Sequence, residues 1–113
     1  MNAQDQNPGE PLTLASLRCE HFAPLLGEFF TLSLPEGGTL QIRLIGAHAA
    51  KHVPPPGLRH GFSLAFRCPE LPANQHLRQG MYPLEHPALG SFDYFITPIT
   101  PDEEGVRYES IFG

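Results

Sequence analysis

The stretch EFFTLSLPEGGTLQIRLIG, Glu28 to Gly46, decides the fold class. In both of its halves apolar and polar residues alternate with a period of two. Leu32 and Ile42 therefore fall on faces expected to be buried, and Thr31 and Arg43 fall on the opposite faces. The connection PEGG between the halves is typical of a hairpin turn. The stretch predicts two antiparallel strands.

Four further strands are predicted downstream. The alternation recurs in GFSLAFRCP, more weakly in LRQGMYPLEH, and again in SFDYFITPI and VRYESIF. The chain has 13 prolines and 11 glycines among 113 residues, which indicates many short elements joined by turns. We expect an all-β fold, a small antiparallel barrel or sandwich of about six strands.

The N-terminal part of the chain has a different pattern. Between Leu12 and Leu26 the apolar residues recur at roughly helical spacing, and Pro24 limits the length of any helix. A short helix that closes one end of the core and ends at Gly27 is therefore expected. Residues 1–11 are polar and contain two prolines, so they are predicted to be a disordered lead-in to a single β domain over residues 12–113.

Composition argues against several classes of partner. The formal charge is −5, and the seven Lys and Arg residues are spread along the sequence, so neither a basic stripe nor nucleic-acid binding is expected. We see no signal peptide and no apolar run long enough for a membrane span, which predicts a cytoplasmic protein without membrane contact. Cys19 and Cys68 form no CxxC pair and fit a reducing compartment.

The motif AHAAKHVPPPGLRH, residues 47–60, places three of the six histidines around three consecutive prolines. His48 and His52 have a spacing that would set two imidazoles on one face of a helix, as in zinc sites. The prolines exclude that helix, and no glutamate follows His48 to act as a general base. We interpret residues 49–59 as an extended connection with polyproline II character and predict no metal, no cofactor and no catalytic residue.

A long connection is also where binding residues concentrate. A proline segment that is already extended loses little entropy when it docks into an aromatic groove of a partner. The candidate binding residues are His48, His52, Pro54, Pro55, Pro56 and His60. They predict a non-catalytic binding or assembly module whose partner is a protein or a second copy of the chain. The alternative is a small metal-dependent or hydrolytic enzyme that uses His48, His52 and a third histidine or carboxylate.

Acidic residues near the C-terminus are expected to have structural roles. The stretch TPDEEG between the last two predicted strands is typical of a solvated hairpin turn. Asp93 and Glu109 are expected to pair with Arg67 and Arg107 across neighbouring strands.

Five ordered motifs between Phe22 and Phe112 carry a resemblance to a known family. They are FAPLLGEFF, FSLAFR, QGMYPLEHPALG, FITPI and YESIF. With these motifs the chain resembles an uncharacterised family of short bacterial domains of unknown function. The resemblance brings no activity and no catalytic residue. Domains of this kind can accompany phage-tail-like proteins, so the resemblance implies an accessory or assembly role.

Overall fold

The computed structural model describes residues 12–72 and 74–113, which form a closed antiparallel barrel of six strands. The strands are Phe29–Ser33 (β1), Thr39–Ala49 (β2), Phe62–Arg67 (β3), Gly80–His86 (β4), Gly90–Asp102 (β5) and Gly105–Phe112 (β6). Their order around the barrel is β1-β2-β3-β6-β5-β4, and β1 pairs with β4 to close it. The all-β prediction is confirmed, and the closure selects the barrel over the sandwich. The predicted disordered lead-in, residues 1–11, lies outside the described residues.

Alternate residues of the strands fill the barrel. On β3, for example, Phe62, Leu64 and Phe66 are buried, while the residues between them face outward. An aromatic cluster surrounds the Phe22 ring, which lies 5.8 to 6.3 Å from the rings of its neighbours. Those neighbours are Phe30, Phe62, Tyr94 and Phe112. The period-two alternation therefore identified the buried faces of β1 and β3 correctly.

The N-terminal segment closes one end of the barrel. It consists of a 3-10 turn at Leu14–Ser16, the helix α1 at Cys19–Phe22 and a second 3-10 turn at Ala23–Leu25. Leu17 and the helix residue at position 22 are fully buried. Gly27 then adopts a positive φ of 87° and donates its N–H to the carbonyl of Leu44 at 2.7 Å. The predicted short helix is confirmed. No helix in the described ranges is long and apolar enough to cross a lipid bilayer.

Strand β2 contains a bulge that changes its inward face. Leu44 pairs with Phe66, but Gly46 pairs with Ala65, so Ile45 is an extra residue on its strand. Beyond the bulge the odd-numbered residues of β2 point inward and the even-numbered residues point outward. The strand also continues to residue 49, three residues further than the alternation predicted.

The connection of residues 68–79, between β3 and β4, covers the other end of the barrel. Its Leu77 side chain is only 7% exposed, and the backbone N–H of Leu77 donates to the hydroxyl of Tyr108 at 2.9 Å. The Cys68 thiol is buried and donates to the carbonyl of Gln41 at 3.5 Å. We call this segment the 68–79 connection, and its contacts attach it to the core by both an apolar side chain and a buried hydrogen bond.

The tyrosines of the core differ in their hydrogen bonding. Tyr82 donates to the carbonyl of Arg78 at 2.7 Å, and Tyr108 accepts from the 68–79 connection. The hydroxyl of Tyr94 is buried with no hydrogen-bond partner among the described residues. Burial raises the pKa of both Tyr94 and Tyr108 above the ordinary value. The Tyr94 hydroxyl is thus a buried polar group that the packing leaves unsatisfied.

Candidate binding face

The predicted binding residues lie on and beside one excursion of the chain, residues 50–61, which we call the proline arm. The arm runs from the end of β2 to the start of β3. His52, Pro55 and Pro56 are exposed, Pro54 and His60 are half-buried, and His48 precedes the arm on the outer face of β2. The structure therefore places the six candidates along one segment of the chain.

Backbone hydrogen bonds fix the arm at its base and at its tip. At the base Ala50 donates its N–H to the carbonyl of Gly61 at 2.8 Å, and the His60 ring is hydrogen-bonded to the Ala50 carbonyl. At the tip the Leu58 N–H donates to the carbonyl of Pro55 at 3.2 Å. Gly57 occupies this turn with a φ of 89°, which residues with a side chain rarely adopt. The arm is held in one shape by its own backbone.

Arg59 joins the arm to the rest of the barrel. Its Nη1 donates to three carbonyls of the N-terminal segment at 2.7, 3.0 and 3.3 Å, and its Nε donates to the carbonyl of Gly113 at 3.0 Å. The guanidinium also lies 5.7 Å from the ring centres of Phe62 and Phe112. Charge-assisted hydrogen bonds and cation–π contacts of this kind are among the stronger polar interactions in proteins. The arm is therefore anchored through a polar side chain.

Because the anchor is polar, the apolar side chains of the arm remain in solvent. Val53 is 72% exposed and Leu58 is 65% exposed. The proline segment between them is also at the surface. The arm presents a continuous apolar stretch that the barrel does not cover.

A groove of about 350 Å³ lies beside the arm and shares Arg59 with it. The pairing between β5 and β6 ends near this groove, at Thr97 and Glu109, and the described residues of β5 before Thr97 pair with β4 but not with β6. Met81, Phe95 and Ile111 line the groove and are exposed. The arm and these three residues together form what we call the binding face.

The histidines do not assemble into a metal site in the described part of the chain. Residues 12–72 and 74–113 contain no group of three or more His, Cys, Asp or Glu side chains that could hold a metal ion. His48 instead covers Gly46, where an added Cβ would lie only 3.0 Å from the ring Nε2. Ser63 and Glu109 line a shallow depression together with His48, but no side-chain hydrogen bond within the described ranges joins any two of the three. The alternative of a histidine-based enzyme therefore has no assembled site here.

A second concave region, with a volume of about 560 Å³, lies at the opposite end of β3. The 68–79 connection and the turn between β5 and β6 border it. Arg43 pairs with Arg67 across β2 and β3, and Arg67 pairs with Arg107 across β3 and β6. The basic residues are spread along the sequence, but the strand register aligns these three in an arginine row.

The ion pairs of this region differ from the predicted ones. Arg67 contacts both carboxylate oxygens of Asp102, at 2.6 and 3.0 Å, and its Nε lies 3.5 Å from Glu104. The Arg67 hydrogen bond lowers the pKa of the Asp102 carboxyl and in turn raises the pKa of the guanidinium. Asp93 and Glu109, the expected partners, form no salt bridge within the described ranges. The acidic turn is therefore attached to the wall of the barrel and is not a free hairpin tip.

The comparison with protein families agrees with the sequence motifs. A family model described as Domain of unknown function (DUF6916) matches residues 17–112. The chain belongs to the DUF6916 family. The match covers α1, all six strands of the DUF6916 barrel and the proline arm. The predicted membership in an uncharacterised domain family is confirmed. No curated protein matches the chain, and no solved structure matches it either.

Proposed function

We propose that this DUF6916 domain is a non-catalytic protein-binding module that recognises its partner through the binding face. The observation that carries the proposal is the distribution of exposed apolar side chains. Five of the nine large ones in the described ranges lie on this face: Val53, Leu58, Met81, Phe95 and Ile111. An apolar surface of this kind, concentrated in one place, is typical of an interaction site.

The chemistry of the partner follows from the shape of the arm. A protruding, extended proline segment fits an apolar groove lined by aromatic residues. Burial of the two apolar side chains of the arm supplies roughly 1.5–3 kcal/mol each, whereas association costs at least about 4 kcal/mol. The arm alone is therefore marginal, and the partner also has to cover the neighbouring groove. We infer a partner protein that grips the arm and lies against Phe95 and Ile111.

The setting of this interaction is part of the proposal. The net charge of −5 supports a protein partner over nucleic acid. The resemblance to bacterial domains supports a cytoplasmic accessory or assembly role, for which a phage-tail-like structure is the proposed context. The module acts without a cofactor. The six residues His48, His52, Pro54, Pro55, Pro56 and His60 then shape and flank the arm, and Val53 and Leu58 supply its apolar contacts.

The test is affinity capture from a lysate of the native host, read by mass spectrometry. The protein is used intact and as the double variant Val53→Ser/Leu58→Ser, which leaves the prolines and Arg59 in place. The matched control is Leu26→Ser, because Leu26 is also exposed but lies outside the binding face. We expect one partner to bind the intact protein and the control variant and to be lost with the double variant.

Two results would contradict the proposal. A partner that the double variant retains would mean that another surface carries recognition. Light scattering of the purified protein provides the second result: if the intact protein is a dimer and the double variant a monomer, the face binds a second copy of the chain instead of a separate partner.

A further inference from the structure

The arginine row is an arrangement that costs stability. Neighbouring strands are about 4.8 Å apart, and like charges directly opposite each other destabilise a sheet. The chain nevertheless places three of its seven Lys and Arg residues in this row, at Arg43, Arg67 and Arg107. In residues 12–72 and 74–113, the ion pairs of the row all fall on Arg67. The row therefore retains positive charge on both sides of that pair.

Most of the donors of Arg67 are already used within the protein. Asp102 occupies its Nη1 and Nη2, Nη1 also donates to the carbonyl of Gly105 at 3.2 Å, and Nε faces Glu104. Its side chain is 18% exposed. This arginine holds the acidic turn in place and so builds one wall of the cleft.

The Arg43 guanidinium is held in place, but part of it has no hydrogen-bond partner in the described ranges. Its Nε donates to the carbonyl of Gly27 at 3.0 Å, and its guanidinium lies 5.9 Å from the centre of the Phe29 ring. Within the described ranges, its Nη1 and Nη2 make no hydrogen bond. Arg43 also lines the cleft of about 560 Å³. A fixed guanidinium with two free donors is the geometry that binds a carboxylate or a phosphate in bidentate fashion.

The rest of the lining selects between these two anions. Glu103 and Glu104 border the cleft, so a dianion such as a phosphate monoester would be repelled. Arg67 is paired with Asp102 and Glu104, so Arg43 is the one cation of the lining that has no carboxylate partner in the described ranges. Apolar side chains make up much of the remaining wall: Ile45, Pro69, Leu71, Pro72 and Val106. The volume lies within the range of about 300–1,000 Å³ that is usual for small-molecule sites.

We propose that this cleft binds a monocarboxylate with an apolar body, whose carboxylate pairs with Arg43 and whose body packs against Ile45, Leu71 and Val106. The site is separate from the binding face, since the two lie at opposite ends of β3, and it does not depend on the proposed protein partner. The same chemistry occurs in a medium-chain fatty acid and in the C-terminal apolar residue of a polypeptide.

The experiment is a titration of the full-length protein with octanoate, followed by NMR of its methyl groups. We expect saturable shifts of the Ile45, Leu71 and Val106 methyls and none at Val53. Octanol has the same chain without the charge and should bind at least about tenfold more weakly, as expected when a charge-assisted bidentate contact is lost. Octyl phosphate should bind no more tightly than octanoate. Equal binding of octanol, tighter binding of octyl phosphate, or no saturable shift at the cleft would each overturn the proposal.

Two variants test whether Arg43 is the residue that pairs with the carboxylate of the ligand. Arg43→Gln should weaken octanoate at least about tenfold. Arg107→Gln removes an exposed arginine of the same row that does not line the cleft, and it should leave the affinity unchanged. Unperturbed methyl spectra in the absence of ligand show that both variants are folded. An unchanged affinity in Arg43→Gln, or an equal loss in both variants, would mean that Arg43 is not the anchor.

A second titration, with short peptides, distinguishes the two sources of the carboxylate. The probes are acetyl-Gly-Gly-Leu-Leu with a free C-terminus and the same peptide as the C-terminal amide. Preference for the free peptide over octanoate would assign a polypeptide C-terminus, and the reverse would assign a fatty acid. Both results support the carboxylate site. An amide that binds as tightly as the free acid would overturn it.

Discussion

The two long connections on either side of β3 differ in whether their apolar residues are exposed or buried. The proline arm leaves Val53 and Leu58 in solvent, whereas the 68–79 connection buries Leu77 against the core. Both segments contain prolines, and both cover an end of the same strand. Their difference lies in the anchor: Arg59 holds the arm through backbone carbonyls, and a leucine side chain holds the other connection. A connection that is anchored by a polar side chain can keep its apolar side chains exposed to a partner. A connection that is anchored by an apolar side chain buries that side chain in the core.

The largest effect should be the difference in stability between two leucine-to-alanine variants, one in each connection. Leu77→Ala removes a buried side chain and should lower the free energy of unfolding by about 2–5 kcal/mol, whereas exposed Leu58→Ala should change it by less than about 0.5 kcal/mol. Urea denaturation of both variants measures the difference. Equal losses would show that the arm packs on the barrel in solution, and the comparison would fail.

Loss of the polar anchor should be the next largest effect. Arg59→Gln removes charge-assisted hydrogen bonds, each worth about 1.5–3 kcal/mol where buried, so a loss in that range is expected for this half-buried side chain. Amide exchange at Ala50, at the base of the arm, should also become faster. Arg18→Gln changes an exposed arginine outside the arm and serves as the control. A variant at position 59 with unchanged exchange would show that the backbone turns alone hold the arm.

Two tyrosine variants test how much the buried hydrogen bond of the 68–79 connection contributes to stability. Tyr108→Phe leaves the buried N–H of Leu77 without its acceptor and should cost about 1–3 kcal/mol. Tyr94→Phe removes a hydroxyl that has no partner in the described ranges, so it should be neutral or raise the stability. Thermal and urea unfolding of the two variants test the opposite signs. A destabilised Tyr94→Phe would indicate that the hydroxyl has a partner after all.

The smallest effect concerns pH. The pKa of Asp102 is lowered from 3.8 by its bond with Arg67, so the folded state binds the proton less readily than the unfolded state does. The contribution of Asp102 to stability is therefore complete above its unfolded pKa and is lost as the pH falls through the lowered folded pKa. Asp102→Asn should be less stable than the wild type at pH 6, and the difference should shrink below about pH 4. Urea unfolding at the two pH values measures it, and a difference independent of pH would contradict the ion pair.

The alternation of side chains predicted most of the fold because it depends only on neighbouring residues. It indicated all six strands and the buried faces of β1 and β3. It missed the bulge at Ile45, since an extra residue reverses the face without changing the composition of the strand. Closure into a barrel was also open, because a sequence pattern assigns faces but not the neighbours of each strand.

The candidate site divides in the same way. The prolines predicted the position of the arm, because they act on the local backbone. The sequence gives no indication of its anchor, since the carbonyls that Arg59 contacts lie 42 to 54 residues away. The arginine row depends on strand register, which brings Arg43, Arg67 and Arg107 together only in the folded barrel. Neither feature leaves a short-range signature in the sequence.

The Cys68 thiol allows the opening of one end of the barrel to be measured by chemical labelling. Cys68 lies at the end covered by the 68–79 connection, and Cys19 belongs to α1 at the end near the arm. Burial raises the pKa of both thiols, so the reactive thiolate is scarce while the protein is closed. An alkylating reagent therefore modifies the buried Cys68 thiol mainly during local opening, whereas the Cys19 thiol is only half-buried. The alkylation rate of Cys68 therefore measures how often the end covered by the 68–79 connection opens.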